Sequence, residues 1–211
     1  LFVIFTASSI LILLLQIGFI TGFLAFCAGM LCASLAWLFG RRAIVAATII
    51  IVFVGLTLPL GFKYVKNPLP KIPNFITLPY SAQHRIKIWE FTANKIDQKR
   101  ILGWGFNASK LMPDGNSMLY ADTGQPYGKA IPLHPHNAIL QLWLELGLPG
   151  IIFYLGLIIF IMIPITDRRR SKLESAIMFG QFSTIFVTAN LSFGIWQAWW
   201  IAAIWLSAVL M

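Results

Sequence analysis

The first 40 residues of this 211-residue chain contain no Asp, Glu, Lys or Arg. Over the whole chain 11% of residues are charged and 58% hydrophobic, where an ordinary soluble domain carries roughly a quarter charged residues. Such a run cannot be the core of a soluble domain of this size. It suits a bilayer, whose hydrocarbon is crossed by a helix of about 20 apolar residues. Acidic residues are scarce as well, seven against sixteen Lys and Arg, for a net charge of +9. This excess does not form a soluble basic face, so a nucleic-acid partner is not expected. Six of the cations sit in two short clusters between apolar runs, Arg41-Arg42 and Arg168-Arg-Arg-Ser-Lys172, and the other ten in one long segment. Beside a membrane such residues set topology or meet anionic lipid and phosphate groups.

Other absences narrow the chemistry. The two cysteines, Cys27 and Cys32, lie five apart in an apolar run, point in different directions on a helix and read as small apolar fillers. Three histidines without an acidic cluster give no metal-ligand spacing, so neither a metal nor any other cofactor is expected. There is no Walker loop, no HExxH and no nucleophilic serine elbow. The chain starts with Leu1 inside an apolar run, without the basic n-region of a signal peptide, and reads as the C-terminal part of a longer protein.

What is present is a set of apolar spans around one hydrophilic segment. Forty uncharged residues would make a helix of about 60 Å, twice the hydrocarbon thickness, so residues 1–40 predict two spans, at about 1–17 and 20–39, turning near Gly18 and Gly22. A third runs over about 43–62. The organisation expected is three spans in 1–62, the first truncated, a loop over 63–136, and three more spans in 137–211, at about 137–165, 174–191 and 194–211. The fold class is an all-α polytopic helical bundle. Gly147, Pro149 and Gly150 predict a kink in the fourth span, with the freed backbone groups satisfied by neighbouring helices. Trp196, Trp199 and Trp200, near a turn at Ser192-Phe-Gly194, fit an interfacial aromatic belt.

In the loop, Pro68, Pro70, Pro73 and Pro79 predict an extended stretch with little regular structure. Ile86, Trp89, Ala93 and Ile96 then recur at spacings of three and four, one apolar face of an amphipathic helix. Ser81 is its candidate N-cap, and Gly103 and Gly105 end it. Two spans separate the two short basic clusters, so both clusters lie on one side, which the positive-inside rule makes cytoplasmic. The long loop is then on the opposite face, periplasmic in a bacterium with two membranes.

The strongest local pattern lies where the loop enters the fourth span: His134-Pro-His136-Asn137, then Gln141, Glu145, Gly147 and Gly150. Asn137, Gln141 and Glu145 form one polar stripe on a helix. An acid at membrane depth is costly and faces protein or water; such a stripe is read either as helix glue or as part of a site. His136 sits at the boundary, and histidine is the side chain whose unperturbed pKa lies nearest neutral, which makes it a candidate catalytic residue. Arg85, beside the face set by Trp89, could project to an anionic group as a planar fork of donors, or be a solvated helix charge. Lys87, Lys95, Lys99 and Arg100 are weaker candidates of the same kind. His84 and His134, without an evident partner, read as structural or solvated.

The spacing His136-Asn137, nine residues, Gly147, two residues, Gly150 resembles the signature of the O-antigen ligase family, which also contains O-antigen polymerases and protein O-oligosaccharyltransferases. Arg85-Ile-Lys-Ile-Trp89 followed by Ile101-Leu-Gly-Trp-Gly-Phe106 resembles the segment that precedes that signature, and the late periplasmic loop with a few closing spans is similar too. The resemblance covers roughly residues 80–165 by motif. It departs at residues 16–21, which have no arginine where members often carry a basic residue. It implies a helical membrane glycosyltransferase in a bacterial inner membrane. The implied donor is a glycan on undecaprenyl pyrophosphate, and the implied acceptor the lipid A core or another glycan acceptor. By the same resemblance His136 would be catalytic, as a general base on the acceptor hydroxyl, and Arg85 would hold the leaving pyrophosphate. Asn137, Lys87, Trp89 and Arg100 are the further candidates for substrate contact. Two other readings stay open: an O-antigen polymerase, and a non-enzymatic transporter or scaffold for polysaccharide export, which should show broken helices in paired repeats.

Overall fold

A computed structural model of the chain describes residues 19–64, 78–121 and 124–209. The expected first span at 1–17, its turn at Gly18, and Pro68, Pro70 and Pro73 lie outside these residues. The described chain is mostly helical: α1 (Ile20–Phe39), α2 (Arg41–Tyr64), α3 (Tyr80–Gln98), α4 (Ala138–Ile165), α5 (Lys172–Leu191) and α6 (Ala198–Val209). Among the described residues, α1, α2 and α4 are long and apolar enough to cross a membrane. Helix α5 has 20 residues but carries Lys172, Glu174, Gln181 and Asn190. Helix α6 has 12 residues, about 18 Å of helix.

The loop is more structured than proline and glycine content suggests, and the fold is not purely α. A 3-10 turn covers Ala108–Leu111. Strands β1 (Met118–Tyr120) and β2 (Pro126–Lys129) pair antiparallel with a bulge between Leu119 and Tyr120. The hairpin rests on the first turns of α3: the Tyr127 hydroxyl donates to Gln83 Oε1 at 2.8 Å, and Tyr80 donates to the Pro126 carbonyl. His84 Nε2 lies 2.9 Å from the Lys129 carbonyl with its ring stacked on Tyr127, so His84 has structural partners. Ser81 does not cap α3. The amides of Ala82 and Gln83 close on the Pro79 carbonyl at 2.9 and 3.1 Å, which makes Pro79 the N-cap position and leaves Ser81 exposed in the first turn. The buried face of α3 is Ile88, Thr92, Ala93 and Ile96; Ile86 and Trp89 flank it, half-buried.

The chain forms two compact units. One comprises residues up to Ile49, Ile158–Ser192 and those from Ala202; the other is Ile50–Leu157 with Phe193–Ile201. In the first, α1 packs along α5 through small residues. A Cβ on Gly29 would lie 2.8 Å from the Gly180 carbonyl, and one on Gly180 would lie 2.8 Å from Ala33 Cβ. Close approach of this kind is how helices associate where lipid removes the hydrophobic drive. Ser192 donates to Thr21 Oγ1 at 2.8 Å along the same pair. Ser171 and Glu174 build a reciprocal capping box at the start of α5.

In the second unit the expected kink is present. Gly147 has φ 63° and ψ −151° inside α4, a left-handed value that L side chains rarely adopt. The bonds lost there are replaced by the Ile101-Leu-Gly-Trp-Gly turn rather than by a neighbouring helix. The Trp104 amide donates to the Leu144 carbonyl at 2.8 Å and the Gly105 amide to the Glu145 carbonyl at 2.9 Å. The Leu148 amide donates back to the carbonyls of Arg100 (2.9 Å) and Ile101 (3.1 Å). Pro149 has no N–H, so the Glu145 carbonyl would lack its i+4 donor even in a straight helix. The two backbones touch at Gly103 and Gly147: a Cβ on Gly147 would lie 2.3 Å from the Ile101 oxygen and 2.6 Å from the Gly103 nitrogen. Gly156, later in the same helix, has nothing within 4 Å of such a Cβ.

Gly147→Ala should therefore lower the thermal midpoint of the detergent-solubilised protein sharply. This sparsely populated backbone region alone costs roughly 1–3 kcal/mol for a residue with a Cβ, before any displacement of the turn. Gly156→Ala should be close to neutral. Equal midpoints for the two variants would contradict the docking of turn on kink.

Candidate functional site

The site residues gather at the start of α4. Asn137 is buried and occupies the cap position: its Oδ1 accepts the Leu140 amide at 2.9 Å and its carbonyl accepts the Gln141 amide at 2.9 Å. An N-cap side chain satisfies a donor the first turn would leave orphaned. The helix start is thus fixed one residue after His136, whose backbone has φ 55°. A histidine tolerates this region better than most residues, and such backbone is characteristic of sites held by their surroundings.

His134 holds the conformation. The His136 amide donates to His134 Nδ1 at 3.2 Å and the two rings lie 4.3 Å apart, tilted at 59°. A ring nitrogen that accepts carries no proton, so His134 is neutral with its proton on Nε2. Burial, first of all, and then the nearby charges of His136 and Lys110 push its pKa down to about 4. Gly194 closes against the ring; a Cβ there would sit 2.8 Å from His134 Cδ2. His134 is thus a buried, positioned residue.

One turn further along α4, Gln141 and Glu145 tie three segments together. Glu145 is fully buried. Its carboxylate accepts the Asn107 amide at 3.0 Å, the Ser109 amide at 3.3 Å, the Ser109 hydroxyl, Gln141 Nε2 at 3.1 Å and the Trp196 indole. Gln141 Oε1 accepts the Ile195 amide at 3.1 Å. The polar stripe therefore meets the 3-10 turn and the 192–197 turn. Trp196 is drawn inward, with Phe106 against it at 4.5 Å, and Trp200 is buried. Of the three expected belt tryptophans, Trp199 is the exposed one. Asn107, Ser109 and Trp196 were not legible as Glu145 partners; the Trp-Gln-Ala-Trp-Trp run signalled only membrane proximity.

Helix α3 is fastened beside the histidine loop by Trp89, whose indole donates to the Pro135 carbonyl at 2.9 Å and whose ring meets Phe62 edge-on at 5.9 Å. Arg85 is four residues before Trp89, on the same helix face. It is half-buried, and desolvation lowers its pKa from the usual guanidinium value. Among the described residues no carboxylate pairs with it. Of the other candidate cations, Lys87, Lys95 and Arg100 have ionic partners and Lys99 an aromatic one. Lys87 reaches Glu90 at 3.5 Å. Arg100 pairs with Asp97, which also takes Lys63 at 2.7 Å and has its pKa lowered, first by the Lys63 hydrogen bond. Lys95 pairs with Asp114 at 2.9 Å, and Lys99 lies over the Trp104 ring. Trp89 is thus brought to the loop that carries His136 and Asn137, Arg85 lies one helical turn before Trp89, and Arg100 contributes through its backbone carbonyl at the kink. Among the described residues no group of three or more His, Cys, Asp or Glu could hold a metal ion.

Residues 2–155 match the family model described as O-antigen ligase. A Rickettsia felis protein named "Putative polysaccharide ligase" is 37% identical over 152 residues, 72% of this chain and 37% of that protein. A Rickettsia prowazekii protein named "Putative polysaccharide ligase RP358" is 33% identical over 188 residues, 89% of this chain and 46% of its own length. The chain thus spans less than half the length of these curated relatives. No solved structure matches.

The low pKa of His134 has a consequence for stability. An unfolded chain protonates this ring near 6.5 and the folded one only near 4, so the unfolded state binds more protons between these values. The contribution is complete above pH 6.5 and is lost as pH falls towards 4. The lowered carboxylates Asp97 and Glu174 act only below about 4.5. The thermal midpoint should fall between pH 7 and 5, and His134→Asn, whose Oδ1 can still accept the His136 amide, should flatten that fall. An unchanged slope in the variant would contradict a buried neutral His134.

Proposed function

The chain belongs to the O-antigen ligase family, and on that premise we propose that the whole protein transfers a glycan from undecaprenyl pyrophosphate to the lipid A core or a related acceptor. The reaction takes place at the periplasmic face of the inner membrane, on the 63–136 loop and the start of α4. His136 is the base and Arg85 the cation for the leaving group. What supports this reading is a conformationally fixed His136 and, on the helix that Trp89 joins to Pro135, a half-buried Arg85 with no carboxylate partner among the described residues.

In the proposed step an imidazole nitrogen of His136 takes the proton of the acceptor hydroxyl. The oxygen attacks the anomeric carbon. The bond from that carbon to the pyrophosphate oxygen breaks, and its electron pair leaves with undecaprenyl pyrophosphate. General-base catalysis supplies roughly 10²–10⁴-fold. Negative charge grows on the pyrophosphate, and a cation already in place lowers the barrier without reorganising at the moment of reaction. The positive end of the α4 dipole, beside His136, favours the same charge. Asn137 acts here through the helix start it fixes, and Trp89 through the loop it anchors. No nucleotide is needed, because the pyrophosphate linkage is already activated.

The test uses the full-length protein in liposomes with an undecaprenyl-pyrophosphate glycan and lipid A core, read on a gel for glycan-bearing core. His136→Ala should lose about 10²-fold or more in rate. Arg85→Gln should lose a similar factor in kcat with its melting midpoint unchanged, and His136→Asn, which tolerates the same backbone, should lose activity as His136→Ala does. Elongated lipid-linked glycan without modified core would replace this reading with a polymerase. Full activity in His136→Ala would remove the histidine from the chemistry.

A further inference from the structure

The first unit contains a second group of cations that the proposed transfer does not use. Arg41, at the start of α2, donates through Nη2 to the Asp167 carbonyl at 3.1 Å. Lys172, at the start of α5, donates through Nζ to the Leu38 carbonyl at 3.1 Å. Arg170 donates through Nε to the Pro164 carbonyl at 2.9 Å. The three side chains, with Ala36, Gly40 and Ser175, line a cavity of about 240 Å³. Ser175 is buried.

The positive charge around this cavity is only partly offset. The two basic clusters hold six cations, Arg41, Arg42, Arg168, Arg169, Arg170 and Lys172, beside two acids, Asp167 and Glu174. Both acids are engaged by main chain: Asp167 Oδ1 accepts the Arg169 amide and Glu174 Oε2 the Ser171 amide, each at 2.9 Å. Among the described residues every ion pair lies elsewhere, and none involves Arg41, Arg170 or Lys172. One donor of each cation is committed to a carbonyl that fixes its position. An arginine has five N–H donors and a lysine three, so several remain for a ligand. Arg41 and Lys172 are the first residues of α2 and α5, so the cavity lies where both helices begin.

Setting topology needs cations in short loops; it does not need them converged and tethered around a cavity. We propose that this cavity binds a phosphate group, carried either by the headgroup of an anionic phospholipid or as free phosphate. The inference does not depend on the transfer reaction.

The experiment places the full-length protein in nanodiscs of phosphatidylcholine with and without added phosphatidylglycerol, and reads retained lipid by native mass spectrometry. A second arm measures binding of labelled inorganic phosphate in phosphatidylcholine alone. The wild type should retain phosphatidylglycerol selectively if the source is a headgroup, or bind phosphate saturably if it is free. The triple variant Arg41→Gln, Arg170→Gln, Lys172→Gln should lose about tenfold or more, the scale of one lost charge-assisted contact. Arg168→Gln with Arg169→Gln, outside the cavity lining, should behave as wild type. The proposal is overturned if the wild type neither prefers phosphatidylglycerol nor binds phosphate. It is equally overturned if a triple variant with an unchanged melting midpoint binds as well, or if the control pair loses as much.

Discussion

A carboxylate without access to water must be surrounded by donors, and Glu145 is the residue that imposes this condition here. Burying an ionised group unaided costs far more than any fold can supply. The carboxylate accepts from two main-chain amides and the hydroxyl of the 3-10 turn, from Gln141 one turn earlier on its own helix, and from the indole of Trp196. These groups come from positions 36 to 51 residues away as well as from its own helix. A hydrogen bond to a charged group typically contributes roughly 1.5–3 kcal/mol, so each segment is held where the carboxylate needs it.

The break in α4 follows from the same place. Gly147, two residues on, turns the helix, and the main chain of 100–105 enters the gap left by its missing hydrogen bonds. The turn that serves the kink leads directly into the residues that serve the carboxylate. On the other side of Glu145, Gln141 and Asn137 carry the order back to the helix start, where His136 is set by its neighbour His134. A glycine pair and a polar stripe spaced in fours are therefore parts of one construction, in which the helix start that follows His136 is fixed from below.

Much of this was legible and some was not, for identifiable reasons. Apolar length announced α1, α2 and α4, because hydrocarbon thickness leaves little freedom. Gly147 and Pro149 announced the kink, because backbone chemistry there is local. The stripe was visible as spacing, yet its partners were hidden: the amides of Asn107 and Ser109 are main-chain donors that any residue type could offer. Trp196 was read as a lipid-interface ring because its composition cue is the same whether the indole meets water or a carboxylate. The hairpin escaped because strands of three and four residues, one opened by a proline and interrupted by a bulge, have too few alternations to show a period. Ser81 failed as a cap because a proline carbonyl two residues earlier closes the first turn. His136, Asn137, Trp89 and Arg85 could be singled out in advance, but the role of His134 in fixing the backbone next to it needed the folded chain.

If Glu145 is the common anchor, weakening it should loosen distant segments together. Hydrogen exchange of the intact protein, wild type against Glu145→Gln, measures this directly by mass spectrometry of peptides covering 103–111, 193–197 and the hairpin at 118–129. The account predicts faster exchange at 103–111 and 193–197 in concert, with the hairpin, which rests on α3, unchanged. Unaltered protection of both segments, or a loss confined to one of them, would contradict it.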